Sequence, residues 1–192
     1  DKHTDKHTDK HTDKHTDKHT DRIEWVKPIM FTAGLGMLSD EHITKTKPDE
    51  TMLICKIGGP VYRIGFGGSS ASSRVSSNEL DYLSVQRDDA EMEQKMDKVI
   101  KRCIELGKDN PIESIHDQGA GGNGNVLKEI IDGKGATIDL SKITLGEKTM
   151  NDIEIWLAEY QESNAILIKS ESVELLQKIC EEESVYFDIV GE

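Results

Sequence analysis

Ile115-His116-Asp117-Gln118-Gly119-Ala120-Gly121-Gly122-Asn123-Gly124-Asn125 is the stretch on which the fold turns. An apolar run ends in a His-Asp pair, breaks into a glycine-rich loop, and opens a helical pattern at Val126. That order reads as strand, tight turn, helix, with Asp117 at the strand's end. Glycine allows left-handed dihedrals and a close approach of backbone to a neighbour. The N–H groups at a helix start attract an anion. A carboxylate beside such a cradle suggests a magnesium–phosphate site. A strand-to-helix turn that holds no ligand accounts for the same glycines, and both readings stand at this point.

Outward from this stretch, strands and helices alternate. Residues 112–115 read as a strand and 126–131 as a helix closed by Gly133. Residues 136–140 read as a strand, 151–157 as a short helix, and 165–168 as a fully apolar strand of the kind buried on both faces. Residues 172–183 form an amphipathic pattern with Val173, Leu176, Ile179 and Cys180 inward, and 185–190 a last strand. Upstream, residues 52–57 are a short apolar strand stopped by Gly58-Gly59-Pro60, and residues 61–66 resemble a second strand. Gly67-Gly68-Ser69-Ser70-Ala71-Ser72-Ser73 follows as a loop. Its place directly after a strand favours a ligand loop over a flexible linker. Asp88-Asp89 opens a helix in which Met92, Met96, Val99, Ile100, Cys103 and Ile104 recur at helical spacing, ended by Gly107. The methionines read as core packing. The whole is an α/β layered domain, three layers α/β/α around a mixed sheet.

Composition bounds the rest. Of 192 residues, the first twenty repeat Asp-Lys-His-Thr five times. A strictly polar period of four buries no core and reads as disordered. Its histidines would share one face of a helix and bind a transition metal loosely; a repeat without function is the plainer reading. The repeat is electrically neutral, so the net charge of -13 sits on residues 21–192, with 19 Lys+Arg against 32 Asp+Glu. That balance argues against nucleic acid as a partner, because binding to phosphates depends on basic residues. No apolar run is long enough to span a membrane, and no secretory signal is read ahead of Asp21. Cys55, Cys103 and Cys180 are odd in number and form no CxxC pair, which fits buried thiols in a reducing, cytoplasmic compartment. The expected division is a repeat at 1–20, a linker at 21–50 and a domain at 51–192, truncated at its C-terminal end because the chain stops straight after a strand.

Several motifs resemble phosphoribosylformylglycinamidine synthase in its large single-chain form, most closely the eukaryotic versions. They are Lys27-Pro28-Ile29-Met30-Phe31, the run from Gly58 to Gly65, the Gly/Ser loop after it, and Ser84-Val85-Gln86-Arg87-Asp88 with Glu91-Met92-Glu93-Gln94-Lys95-Met96. The run 115–128 and Glu159-Tyr160-Gln161-Glu162-Ser163-Asn164-Ala165 complete the set, in the family's order. The resemblance implies the C-terminal subdomain of the first synthetase half, with the architecture of the C-terminal domain of aminoimidazole ribonucleotide synthetase. It implies a ligase of purine biosynthesis that converts formylglycinamide ribonucleotide, ATP and glutamine to formylglycinamidine ribonucleotide. It further implies that the substrate amide oxygen attacks the γ-phosphate and that ammonia from a glutaminase domain displaces phosphate from the activated carbon.

Residue roles follow from the same resemblance. Gln86 matches a substrate-binding position, and Asp117 a magnesium ligand. Glu159, Tyr160 and Gln161 match the substrate-contacting triplet, where smaller relatives carry Ser in place of Tyr160. Gly67, Gly68, Ser69 and Ser70 match the loop that cradles the substrate phosphate. His116 reads as structural, orienting the turn. Arg87 pairs either with phosphate or with a neighbouring acid, and Glu162 either supports the metal or caps local structure. Most of the ATP site, the catalytic histidine region, the other metal ligands and the glutaminase nucleophile would lie outside this chain, among partner subdomains. The expectation is therefore a fragment with no ligase activity alone. The rivals are a non-catalytic structural or interaction module, and another superfamily member such as a selenophosphate synthetase-like or thiamine-phosphate kinase-like protein.

Overall fold

Met52, Ile54 and Lys56 alternate with Leu53, Cys55 and Ile57, so strand β1 (Met52–Gly58) offers a side chain to each face in turn. Both faces are covered. In the computed structural model, which describes residues 31–68, Ser84 and 89–192, β1 lies inside a four-stranded sheet. The sheet also contains β2 (Ile112–Asp117), β3 (Ser163–Lys169) and β4 (Tyr186–Gly191), in the order β2-β3-β1-β4. The repeat, Ser69, Ser70, Gln86 and Arg87 fall outside the described residues. The chain divides into two units, residues 1–41 and 42–192. In the first, residues 31–40 are exposed; everything below concerns the second.

Helix α1 (Ala90–Glu105) starts where Asp89 accepts a hydrogen bond from the Met92 N–H at 3.0 Å. Its Met92, Met96, Val99 and Cys103 form one buried stripe. That stripe meets Leu176, Ile179 and Cys180 of α4 (Val173–Glu183) and Cys55, Ile57, Ile166 and Ile168 of the sheet. Arg102 bridges the two helices through Glu183 at 3.0 Å and Glu182. On the opposite face, Val126, Leu127 and Ile130 of α2 (Gly122–Ile130) and Ile155 of α3 (Asp152–Leu157) pack on Met52, Ile54, Ala165, Leu167 and Val190. Helices thus cover both faces of one sheet, the three-layer α/β arrangement that the alternation of elements predicts.

The neighbouring strands all pair antiparallel, and the parallel pairing among the described residues is an isolated bridge from Val61 to Leu145. That bridge is all that forms of the strand expected at residues 61–66. The chain turns at Gly65 (φ 73), and Arg63 is drawn sideways to Glu154 Oε1 at 3.0 Å, to the Thr149 carbonyl at 3.0 Å and to Glu147. The strand expected at 136–140 is likewise reduced to an isolated bridge from Ile138 to Gly191. There, Asp139 turns its carboxylate onto the Ser141 N–H at 2.9 Å and starts a 3-10 turn, Leu140–Lys142. Helix α2 begins at Gly122 rather than Val126, because left-handed Gly121 caps it (φ 79). Strand β2 runs two residues past Ile115, to Asp117.

Candidate functional site

Asp117 is the last residue of the edge strand β2, in register with Asn164 of β3. Its side chain is exposed and makes no hydrogen bond or ion pair with another described residue. The next residue turns inward. Gln118 donates its backbone N–H to the Ser163 carbonyl at 3.1 Å, and its side chain is buried. Gln118 Nε2 donates to the Tyr160 carbonyl at 2.7 Å, and Gln118 Oε1 accepts from Lys56 Nζ. Three residues further into the turn, the Gly121 N–H donates to Glu159 Oε1 at 3.0 Å. Fully buried Asn123 donates from Nδ2 to the Ile155 carbonyl at 2.8 Å and accepts from the Tyr160 hydroxyl at 3.3 Å.

Three of these bonds reach Glu159 and Tyr160, which with Gln161 run between two glycine-bearing segments. On one side, a Cβ at Gly65 would sit 2.9 Å from the Glu159 carbonyl oxygen. On the other, a Cβ at Gly122 would sit 2.2 Å from the Ala158 carbonyl oxygen. Only glycine permits backbone to lie this close on both flanks. The Gly67–Gly68 end of the loop leaves from the Gly65 turn, held by the Gly68 N–H on the Gly65 carbonyl (3.2 Å) and by the Ser84 hydroxyl on the Phe66 carbonyl (3.1 Å).

The fold therefore brings Asp117, Glu159, Tyr160, Gln161, Gly67 and Gly68 into one region; Gln86, Ser69 and Ser70 lie outside the described residues. It also sorts them. Asp117, Gln161 and Gly67 are exposed, whereas Glu159 and Tyr160 are buried at 4% exposure each. The anion that the helix start was expected to attract is supplied at Gly121 by the protein's own Glu159 carboxylate. The Tyr160 ring faces inward, 5.6 Å from Lys56 Nζ. His116 accepts from Lys45 Nζ at Nδ1 (2.7 Å), which leaves its Nε2–H for Glu129 on α2. It thereby links β2 to α2. The His116 hydrogen bond holds the Glu129 carboxyl below its usual range.

Lys56 has no counterpart among the residues expected from sequence. It is 3% exposed on the face it shares with Met52 and Ile54, and burial pushes its ammonium down to about 7, opposed in part by Asp188. Asp188 stands opposite it on β4 and accepts from the Thr144 N–H and hydroxyl, both at 2.7 Å. Burial also raises the Tyr160 hydroxyl to about 12, so it stays protonated as a donor to Asn123. The signal for Lys56 was present: a single charge inside an apolar strand, in phase with core residues, must find a buried partner.

Among the described residues, no cluster of three or more His, Cys, Asp or Glu is placed to hold a metal. A lone exposed carboxylate suits magnesium, which keeps several waters and takes one or two carboxylates together with substrate phosphates. It does not suit a closed zinc cage. A cavity of about 400 Å³ lies elsewhere, with Pro48, Met52, Ile131, Lys134, Thr137 and Leu167 in its wall, and no expected site residue lines it.

Comparison with known proteins bears on the same segments. The family model described as AIR synthase related protein, C-terminal domain, matches residues 52–192. A probable phosphoribosylformylglycinamidine synthase, chloroplastic/mitochondrial, of Arabidopsis thaliana is 57% identical over 173 residues, 88% of this chain and 12% of the relative. The Homo sapiens phosphoribosylformylglycinamidine synthase is 53% identical over 174 residues, 88% of this chain and 13% of the relative. The chain thus spans about an eighth of the length of these relatives. Among solved structures, T. maritima PurL complexed with FGAR superposes with a TM-score of 0.72 at 25% identity, covering 80% of this chain and 26% of that one.

Proposed function

Residues 52–192 belong to the AIR synthase related protein, C-terminal domain, family, and on that premise we propose that this chain supplies part of the substrate side of a phosphoribosylformylglycinamidine synthase. The observation that carries the proposal is the meeting of three separate segments, the Gly65 turn, the Asp117 turn and Glu159-Tyr160-Gln161, with Asp117 left exposed beside them. In this reading the substrates are formylglycinamide ribonucleotide and ATP, and ammonia comes from glutamine hydrolysed on another domain. Asp117 holds magnesium, which when bound neutralises charge on transferring phosphate. Gln161 and Gln86 hold the substrate amide, since a carboxamide both donates and accepts. Gly67, Gly68, Ser69 and Ser70 cradle its phosphate. Glu159 and Tyr160 act from beneath, by holding the turn against the triplet. The division into a repeat at 1–20, a linker at 21–50 and a domain at 51–192, cytoplasmic placement and dependence on the other synthetase subdomains belong to the same proposal.

Calorimetric titration of formylglycinamide ribonucleotide into the chain, with and without magnesium, tests it. Binding that strengthens with magnesium and fails in both Gln86→Ala and Asp117→Asn is the expected result. Binding that ignores both substitutions removes those residues from the site. If the isolated chain binds nothing, the same substitutions in the full-length enzyme decide: unchanged kcat/KM for this substrate would sink the assignment.

A further inference from the structure

A lysine buried on one face of a sheet needs a reason to be there. Replacing it with a hydrophobic residue of similar size would remove the cost of a desolvated amine. Lys56 lies on the face of β1 that otherwise packs α2 and α3, in phase with Met52 and Ile54. Its Nζ donates to Gln118 Oε1, and the same carboxamide donates from Nε2 to the Tyr160 carbonyl at 2.7 Å. The Tyr160 ring lies under the amine at 5.6 Å, and its hydroxyl goes on to Asn123 at 3.3 Å, inside the first turn of α2. Gln118 is only 3% exposed, so water is not available to replace either of its bonds. The charged or titratable groups around the amine are Asp188 from β4 and Tyr160 from the segment before β3. Asp188 is committed to Thr144 by two bonds of 2.7 Å. The chain of contacts thus runs from a central strand, through one carboxamide, to both flanks of the candidate site: the turn after Asp117 and the triplet at 159–161.

We propose that Lys56 is a positioning residue of the site: through Gln118 it fixes the glycine turn that follows Asp117 against the Glu159-Tyr160-Gln161 segment. A carboxamide at the root of a turn can rotate and exchange its oxygen and nitrogen ends. The amine, a donor without an acceptor in its charged form, forces the oxygen toward β1 and so the nitrogen toward the Tyr160 carbonyl. The Tyr160 ring face attracts the same charge and holds the amine over it. The orientation of Gln118 then sets where the backbone leaves β2, and so where the Asp117 carboxylate stands relative to Gln161. The functional part of this inference rests on the ligase reading above; the structural part does not.

The test uses Lys56→Met, which keeps the length and the apolar contacts and removes the donor. In the 192-residue chain, amide hydrogen exchange at Gly119, Gly121, Gly122 and Asn123 should accelerate about tenfold, as expected when a buried charged hydrogen bond is lost. Exchange at Ile54 and Leu167, in the sheet centre, should stay unchanged. Gln118→Ala should give the same acceleration, and the double variant no more than either single one, because both act through one contact. Unchanged exchange at the turn, equal loss in the sheet centre, or additive effects would each overturn the positioning role. In the full-length synthase, Lys56→Met should lower kcat/KM for formylglycinamide ribonucleotide about tenfold and leave KM for glutamine alone. A loosened turn with full kcat/KM would overturn the functional part while leaving the contact intact. Failure of the ligase reading itself would show separately, as wild-type protein that neither binds nor turns over that substrate.

Discussion

At the scale of single residues, Lys56 gives the chain a pH dependence that its composition does not show. Its amine titrates at about 7 in the folded protein, lowered by burial, against an ordinary value of 10.5 in the unfolded chain. Below pH 7 both states are protonated and the penalty of the buried charge is fully present. Between 7 and 10.5 the unfolded chain binds the extra proton, so stability rises with pH across that window. Urea midpoints measured from pH 6 to 8, below the range in which the unfolded chain's thiols ionise, should therefore climb in the wild type and stay flatter in Lys56→Met; parallel curves would remove Lys56 as the source. Gly122 is the other decisive residue. It has φ 57 and stands where a Cβ would be 2.2 Å from the Ala158 carbonyl oxygen. Gly122→Ala should destabilise the chain by roughly 2–3 kcal/mol, strain and overpacking together, read as a fall in the urea midpoint at constant slope. The glycines of this turn were visible in the sequence, but only the fold shows that they meet protein backbone on the side where a ligand was one expectation.

At the scale of elements, α3 shows how local code and tertiary contact share a task. Asn151 accepts from the Glu154 N–H at 3.0 Å while Glu154 returns a bond to the Asn151 N–H at 2.9 Å, a reciprocal cap legible in the spacing of the two residues. Asn151→Ala should cost about 1 kcal/mol. Glu154 is shared with Arg63, which comes from the segment after β1 and also reaches the Thr149 carbonyl. Arg63→Lys should loosen this junction despite keeping the charge, because an ammonium cannot span the fork; chemical shifts of the α3 amides would report it, and an unchanged spectrum would show that the fork is dispensable. The stretches at 61–66 and 136–140 carry strand-like patterns and become bridged loops. In both, a side chain bonds out of the strand direction and the chain turns: Arg63 to the start of α3, Asp139 onto Ser141. Sequence periodicity registers burial and not such bonds, so these two elements were not recoverable from pattern alone.

At the scale of the molecule, one layer collects all three cysteines. Cys55 from β1, Cys103 from α1 and Cys180 from α4 are each fully buried in the core between the sheet and those two helices. Burial raises their thiols to about 12, 11 and 12. A soluble thiol reagent at pH 8 should label none of them in the native chain and all three in urea, since only the thiolate reacts; fast labelling of any one in the native state would contradict the packing. Among the described residues no helix is long and apolar enough to cross a membrane. The acidic balance of 19 Lys+Arg against 32 Asp+Glu lies outside the neutral repeat.

The alternation of apolar strands with amphipathic helices determined the layered α/β class, because periods of two and 3.6 residues register which faces are buried. The motif residues determined the family, because their order along the chain survives without coordinates. Strand order, antiparallel pairing and the partners of buried polar groups were decided by the tertiary structure. Lys56 and Gln118 are 62 residues apart in the chain, and nothing local links an amine in one strand to a carboxamide after another. Their contact exists because β1 and the turn that leaves β2, on either side of β3, bring a buried donor and a buried acceptor together, where they satisfy each other.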